Sequence, residues 1–401
     1  MARPVDSRRA HLGAVGLVLL LLALFAYISP RIVSSLDYAN SDFFSLWLAA
    51  RMAWSDQDPY DPETWIREHQ SSGADWISDE AFLYPLGLAL LLAPLGLLPL
   101  YEAYVVWVFL SLVLVLGAVL LLLNLRRSGP VRLQYGIPFL LGAFAFRPVI
   151  VTIRNGQLGA LLLILVVLAL WMWERDRWLI GGVFLGVLLV KPSLGALIGF
   201  PIAAWTVLNR SWNATLGLGL GAAGVLGLGW LRDPSWLGKY LEVVTGKASA
   251  TLGYAPSLWG WVGLACADLP ACVVSMGLLL SILVLAAVVL VFLRRGRALP
   301  ARMVVGLAIS AALLAAPYIW AYDQILLLAP VVLMAMEMTE REYPYLTIAP
   351  MLLLLSLAAL LLLVVAPSIG RDAWSASLSL LALAGAVYLT WHPAGVDSEF
   401  G

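Results

Sequence analysis

Asp42 is the residue whose type and position best suit proton transfer. It opens the segment DFFSLWLAARMAW, in which apolar residues recur at helical spacing soon after the first long apolar run. The spacing predicts a helix that begins at Ser41 or Asp42. A carboxylate at that place either caps the helix by accepting hydrogen bonds from backbone amides or acts as a general base. The spacing alone favours the cap.

Arg154, Asn155, Gly156 and Gln157 stand at the start of another apolar run, with Arg147 about two helical turns upstream. Glycine permits close approach of a backbone, and a helix N-terminus attracts anions. These residues are therefore candidates for binding a phosphate group. The alternative is that the two arginines simply extend to the polar surface of a bilayer, as long cationic side chains commonly do.

Lys191 lies between two apolar runs, with no other charged residue for more than ten positions on either side. A charge at such a place is costly and usually faces a cavity or a partner. We therefore favour a functional lysine, which compensates a phosphate, over a simple loop lysine. Further along, APYIWAYDQ places Tyr318, Trp320 and Asp323 between two apolar runs. Asp323 is expected to hydrogen-bond a sugar, to orient a cation or to pair with an arginine.

The elements that must position these residues are membrane helices. Hydrophobic residues make up 62% of the 401 residues and charged residues only 12%, and several apolar runs are long enough to cross a bilayer. We predict an all-α polytopic membrane protein that forms one integral membrane domain over residues 1–401. The formal net charge is zero, so the composition offers no argument for nucleic acid as a partner.

Short segments rich in Lys and Arg separate several of the apolar runs. They predict the topology, because Lys and Arg concentrate in cytoplasmic loops. With the N-terminus in the cytoplasm, about 10–13 spans result, and 83–99 is predicted to be a re-entrant segment because it is short and contains Pro85, Pro94 and Pro99. This predicted topology places nearly every candidate site residue on the non-cytoplasmic face. Its predicted spans are 12–28, 103–124, 134–150, 157–173, 178–190, 194–208, 212–230, 272–293, 301–316, 322–337, 344–366 and 373–391.

Two long loops on the non-cytoplasmic side are predicted to carry amphipathic interfacial helices, the first over 29–82 and the second over 231–257. In the first loop, Asp56, Asp58 and Asp61 fit turn chemistry around two prolines. In the second, Lys239 could line a substrate path. The two cysteines, Cys266 and Cys272, are expected to pack in the apolar interior instead of forming a disulfide or a metal site. The three histidines are scattered, so no metal site is predicted, and a dependence on a divalent metal has no support.

The order of several segments resembles glycosyltransferase family 87, the polyprenyl-phosphate-mannose-dependent mannosyltransferases of the GT-C superfamily. The segments that carry the resemblance are DFFSLWLAARMAWSDQDPYD, YPLGLALLLAPLGLLPL, RNGQLGALLLILVVLAL, KPSLGALIGFPIAAW, YAPSLWGW and PYIWAYDQILLLAP. The resemblance implies a GT-C-type fold. It also implies that the acidic residue soon after the first span, here Asp42, is the catalytic base, which reverses the preference for a cap.

The resemblance further implies transfer of a hexose, and mannose in particular, from a polyprenyl-phosphate donor to a glycan or glycolipid acceptor. The predicted topology agrees, because nucleotide sugars made in the cytoplasm cannot supply chemistry on the outer face of the plasma membrane. Asp42 would deprotonate the acceptor, and Arg154, Lys191 and Arg147 would stabilise the departing phosphate. Two alternatives stay open: a transporter or flippase of a lipid-linked or sugar substrate, which needs no base, and a structural membrane protein.

Overall fold

The computed structural model describes residues 7–55, 57–74, 81–125, 133–248, 252–267, 269–340, 361 and 372–391. Within these ranges the protein is built from α-helices joined by turns and short 3-10 segments, without a strand. The α-helices are α1 (Ser7–Ser34), α2 (Asp42–Met52), α3 (Pro62–Ser71), α4 (Leu86–Gly96), α5 (Leu100–Leu123), α6 (Leu133–Ala145), α7 (Arg147–Asn155), α8 (Gly159–Trp173), α9 (Trp178–Val187), α10 (Pro192–Leu208), α11 (Trp212–Arg232), α12 (Trp236–Ala248), α13 (Leu258–Ala265), α14 (Pro270–Arg295), α15 (Ala301–Ala315), α16 (Leu328–Glu340) and α17 (Ala376–Trp391).

Apolar helices account for most of this part of the chain. Five described segments are long and apolar enough to cross a membrane: Val15–Ser34, Leu100–Leu123, Trp212–Arg232, Pro270–Arg295 and Asp372–Trp391. Six further apolar helices are shorter, which broken or tilted spans can accommodate. The prediction of an all-α polytopic membrane protein is confirmed. The total of 10–13 spans stays a prediction, and the predicted span 344–366 lies outside the described residues.

Contacts between distant segments bring one set of helix ends together. The Tyr101 hydroxyl, at the start of α5, donates to the Pro30 carbonyl near the end of α1. The Tyr104 hydroxyl donates to the carbonyl of Arg154, at the end of α7. Lys191, at the start of α10, pairs with Asp323 just before α16. The polar segments that interrupt the apolar runs therefore meet at one end of the helical bundle.

Glycines allow α9 and α11 to pack with their backbones close together. A Cβ built on Gly182 would lie 2.4 Å from the Ala214 carbonyl oxygen, and one on Gly186 would lie 2.2 Å from that of Leu218. The contacts advance in the same direction along both helices, so α9 and α11 run parallel. Small residues four apart allow backbones to approach in this way, as in other membrane helix pairs.

The first loop is a compact subdomain around α2. Eight of the eleven α2 residues are buried, because α2 packs against both α4 and α5. The prediction of an amphipathic helix is therefore wrong for α2, which has no broad exposed polar face. It fits α3, where Trp65 and His69 are buried beneath an otherwise polar surface.

A capping carboxylate starts α3. Asp61 accepts a hydrogen bond at 2.9 Å from the backbone amide of Thr64, and Pro62 occupies the first helical position. Hydrogen bonds from the side chain and backbone of Thr64 lower the pKa of Asp61. The predicted turn role of Asp61 is thus confirmed, whereas Asp56 lies outside the described residues.

The segment predicted to be re-entrant contains α4. Its 11 residues extend only about 16 Å, roughly half of the hydrocarbon thickness. Close backbone contacts hold both ends of the helix: Gly87 lies against the Val225 carbonyl of α11, and Gly96 lies against the backbone of Ala50 and Arg51. The length suits a re-entrant segment, which stays a prediction.

The two cysteines form a disulfide, which corrects the expectation that they only pack. Cys266 and Cys272 flank the turn between α13 and α14, with their Cα atoms 5.8 Å apart. Only a short turn separates the two cysteines, because α13 ends at Ala265 and α14 begins at Pro270. Stable disulfides are typical of oxidising compartments, and the predicted topology places this turn on the non-cytoplasmic side.

Candidate active site

Asp42 lies in the first turn of α2, where the partial positive charge of the helix N-terminus favours a carboxylate. Ser41, and not Asp42, occupies the capping position. The half-buried Asp42 carboxylate turns toward another part of the chain. Its Oδ2 atom accepts a hydrogen bond from Gln157 Nε2 at 2.9 Å and makes a longer contact of 3.5 Å with Asn155 Nδ2.

The turn between α7 and α8 presents these two amides. Gly156 ends α7 in the left-handed conformation, with φ at 65°. A Cβ there would lie 2.4 Å from the Cβ of Phe43, so only glycine lets α2 approach this closely. The Trp107 indole donates to the Gly156 carbonyl at 2.8 Å and fixes the turn from the α5 side.

Tyr84 fixes the orientation of the Gln157 side chain. Its hydroxyl donates to Gln157 Oε1 at 3.2 Å, which leaves the amide nitrogen pointing at Asp42. Tyr84 is held in turn by Tyr60, whose hydroxyl donates to the Tyr84 carbonyl at 2.7 Å. Tyr84 is not among the site residues that the sequence predicts. Its only signal was a tyrosine directly before the proline that starts a short helix.

Lys191 and Asp323 form a buried ion pair beside this cluster. Lys191 Nζ lies 2.5 Å from Asp323 Oδ1, and the side chains are 6% and 0% exposed, respectively. Asp323 Oδ2 accepts a second hydrogen bond, from the Trp320 backbone amide. Lys191 is therefore no simple loop lysine, and the partner predicted for Asp323 turns out to be a lysine instead of an arginine.

Tyr322 connects the two clusters. Its carbonyl accepts a hydrogen bond from Thr152 of α7 at 3.0 Å, and the Lys191 ammonium lies 4.9 Å from the centre of its ring. The Tyr322 hydroxyl is close enough to Tyr84 and Asp42 to interact with both electrostatically. Asp42, Gln157, Tyr322 and Lys191 thus belong to one contiguous polar site.

The two arginines of α7 differ in their surroundings. Arg147 is buried and binds both carboxylate oxygens of Asp372 at 3.1 Å, together with Ser375 at 3.3 Å. This bidentate pair attaches α7 to the segment that precedes α17. Arg154 is exposed at the other end of α7. The described parts of the chain supply no hydrogen-bond or ion-pair partner for its guanidinium.

Aromatic side chains border the ion pair. Tyr318 and Trp320 are half-buried, and their rings meet edge to face with centres 6.4 Å apart. Both are predicted site residues, and they lie in the turn that carries Asp323. Among the residues that the structure describes, no group of three His, Cys, Asp or Glu side chains is arranged to hold a metal ion.

Comparison with known proteins gives one match. The family model of glycosyltransferase family 87 matches residues 82–317, more than half of the chain. The matched range contains Arg147, Arg154, Asn155, Gln157 and Lys191, whereas Asp42 and the segment from Tyr318 to Asp323 lie outside it. Searches of curated proteins and of solved structures returned no match. On this match the chain belongs to glycosyltransferase family 87, and it is a membrane glycosyltransferase.

Proposed function

We propose that this glycosyltransferase transfers a hexose, namely mannose, from a polyprenyl-phosphate donor to a glycan or glycolipid acceptor. The reaction takes place on the non-cytoplasmic face of the plasma membrane, with the N-terminus in the cytoplasm. The observation that carries the proposal is the Asp42 carboxylate, which is held by Gln157 in the polar site where the helix ends meet. A transporter would not need a carboxylate held in this way.

Asp42 acts as the general base. As the acceptor hydroxyl oxygen bonds to the anomeric carbon of the donor, its proton passes to the carboxylate of Asp42. The bond from the anomeric carbon to the phosphate oxygen breaks at the same time, and its electron pair leaves with the polyprenyl phosphate. This direct displacement inverts the anomeric centre, so a β-linked donor gives an α-linked product.

Arg154 is the cation best suited to stabilise the departing phosphate, on which negative charge develops. It is exposed and directly precedes Asn155, the first of the two amides that face Asp42. Lys191 and Arg147 are already paired with carboxylates. To contact the phosphate, each cation would have to divide its hydrogen bonds between the phosphate and its carboxylate partner. We therefore propose that Lys191 and Arg147 chiefly hold Tyr322 and α7 in place.

Tyr318 and Trp320 are suited to contact the transferred sugar. Their half-exposed rings stand beside the Lys191–Asp323 pair and offer apolar surfaces to the carbon-bound hydrogens of a hexose. Asn155 provides an amide near Asp42 that can bond a sugar hydroxyl or a phosphate oxygen. The lipid part of the donor would lie along the short apolar helices that end at the site.

The test is transfer of labelled mannose from polyprenyl-phosphate mannose to a panel of glycan and glycolipid acceptors by the purified protein. We expect Asp42→Asn to lower kcat by at least about a hundredfold, because a general base contributes 10²–10⁴-fold to a rate. Asp37→Asn is the matched control, since Asp37 is an exposed aspartate that bonds only locally to Asn40. NMR of the product should show an α-linkage.

Each part of the proposal can fail separately. A wild-type protein that transfers no sugar to any acceptor would contradict the donor or the acceptor class. Full activity of Asp42→Asn would show that another group is the base. A β-linked product from a β-linked donor would rule out direct displacement.

A further inference from the structure

A cleft of about 260 Å³ lies at the opposite end of α2 from Asp42. Its walls come from the C-terminal end of α2, the turn that precedes α3, the start of α4, and the α11–α12 turn. The proposed mechanism leaves this cleft unused, although it is formed by the same first loop that carries Asp42.

The polar wall of the cleft is an ion cluster. Lys239 Nζ lies 2.6 Å from Asp58 Oδ2 and 2.8 Å from Asp233 Oδ2. Arg232 reaches across to donate to the Ser55 carbonyl. Two cations therefore face two carboxylates, and the lining residues that the structure describes have no net charge. Such a wall has no surplus positive charge for a phosphate, but it offers many donors and acceptors of hydrogen bonds.

The remaining wall is apolar, with Met52, Pro59 and Leu86 among its members. An apolar surface opposite a neutral array of donors and acceptors suits a ligand with hydroxyls on its edges and carbon-bound hydrogens on its faces. A sugar unit has both properties. A lipid chain would exclude water from the ion cluster without offering it any hydrogen bonds, at a large desolvation penalty.

The cleft and Asp42 are parts of one rigid frame. The length of α2 between Asp42 and Met52 separates them by about 15 Å. Tyr60 joins them, because its backbone amide donates to Asp58 Oδ1 and its hydroxyl donates to the Tyr84 carbonyl. Tyr84 then orients Gln157, which binds Asp42.

We propose that this cleft is a subsite for the distal sugar units of an oligosaccharide acceptor, whose reactive end reaches Asp42. The inference rests on the proposed glycosyl transfer. It implies that the acceptor is a glycan of several units, because a single sugar cannot bridge the two places.

The test is binding of mannose oligosaccharides of one to four units to the full-length protein in detergent, measured by titration calorimetry. We expect affinity to rise with length. Ala53→Trp, which fills the cleft without removing a charge, should weaken binding of the longest oligosaccharide about tenfold and leave that of a single mannose within about twofold. Thr245→Trp is the matched control, because Thr245 is exposed on α12 outside the cleft.

Lys239→Gln provides a second variant with little change in volume, and it should show the same length-dependent loss. Thermal unfolding checks that each variant is folded. Wild-type binding that does not depend on length, or equal losses for long and short sugars in both variants, would overturn the subsite.

Turnover separates this inference from the proposed reaction. Length-dependent binding that Ala53→Trp abolishes would support the subsite even if no sugar were transferred, and that result would contradict only the reaction. Turnover without any length dependence of binding would contradict only the subsite.

Discussion

Tyr84 and Gln157 show how a single hydroxyl can fix a catalytic carboxylate. An amide side chain can present either its oxygen or its nitrogen, and the Tyr84 hydroxyl selects the orientation in which nitrogen faces Asp42. This arrangement makes Tyr84 a positioning residue two hydrogen bonds away from the proposed base.

We expect Tyr84→Phe to lower kcat about tenfold and to leave KM for the lipid donor unchanged, because it frees Gln157 without altering the donor site. Steady-state kinetics with polyprenyl-phosphate mannose measure both constants. Tyr101→Phe is the control, since the Tyr101 hydroxyl also donates a hydrogen bond, to the Pro30 carbonyl, but lies outside the cluster. An increase in KM with constant kcat would indicate a binding role instead.

Among the helices, the contact between α9 and α11 depends on backbone proximity and not on side-chain volume. Gly221 of α11 faces the Val183 carbonyl, and a Cβ there would lie 2.2 Å from that oxygen. Gly224 lies on the same helix with open space around its Cα. Alanine substitutions at Gly221 and Gly224 therefore distinguish an effect on helix packing from the higher helix propensity of alanine.

We expect Gly221→Ala to lower the unfolding free energy by about 1–3 kcal/mol, because α9 must move away to admit the methyl group. Gly224→Ala should be neutral or slightly stabilising, since alanine favours helix. Thermal unfolding of the two variants in detergent gives the comparison. Equal melting temperatures for both would show that the α9–α11 contact adjusts without loss.

The α11–α12 turn carries a pH-dependent contribution to stability. Burial raises the pKa of Asp233, but hydrogen bonds from Lys239 and Ser235 outweigh burial and lower the pKa to about 2. Because this value lies below the ordinary value of 3.8, the stabilisation is complete above pH 3.8 and is lost as the pH falls through 2.

Asp233→Asn should therefore unfold with a weaker pH dependence than the wild type between pH 4 and pH 2. The difference should be about 1 kcal/mol, since solvent screens this partly exposed group. Chemical unfolding at a series of pH values measures it, and Glu242→Asn on the exposed side of α12 is the control. If the unfolding free energies of wild type and Asp233→Asn changed in parallel with pH, the ion cluster would not contribute to the pH dependence of stability.

For the whole molecule, the topology decides whether the site can use a lipid-linked donor. The contacts place Asp42, Lys191 and Asp323 at one end of the bundle, and the disulfide lies in the turn before α14. The topology predicted from the sequence places both on the non-cytoplasmic face.

We expect a periplasmic-type enzyme reporter to be active when fused after Lys239 and inactive when fused after Arg210, because α11 separates these positions. Labelling of Cys266 by a membrane-impermeant thiol reagent should require prior treatment with an impermeant reductant. Activity of both fusions would show that α11 does not cross the membrane.

The sequence allowed the class of fold to be predicted, because apolar runs are visible in one dimension. It also showed the isolated polar residues, whose proposed roles in the site stay predictions. Their partners were not predictable. Gln157 lies 115 positions from Asp42, so only the folded chain shows that this amide holds the carboxylate. The pattern of α2 suggested one exposed face, but neighbours on several sides enclose the helix, and helical spacing carries no information about them.

The Lys191–Asp323 pair joins residues that are 132 positions apart, and this separation has a consequence for how the protein is made. A chain emerges from the ribosome N-terminus first. Lys191 therefore reaches the membrane together with α9 and α10 long before its counter-ion has been translated. Until then, only water or lipid headgroups can stabilise the charge of the lysine. Synthesis of Asp323 supplies the carboxylate that takes their place and completes this part of the site.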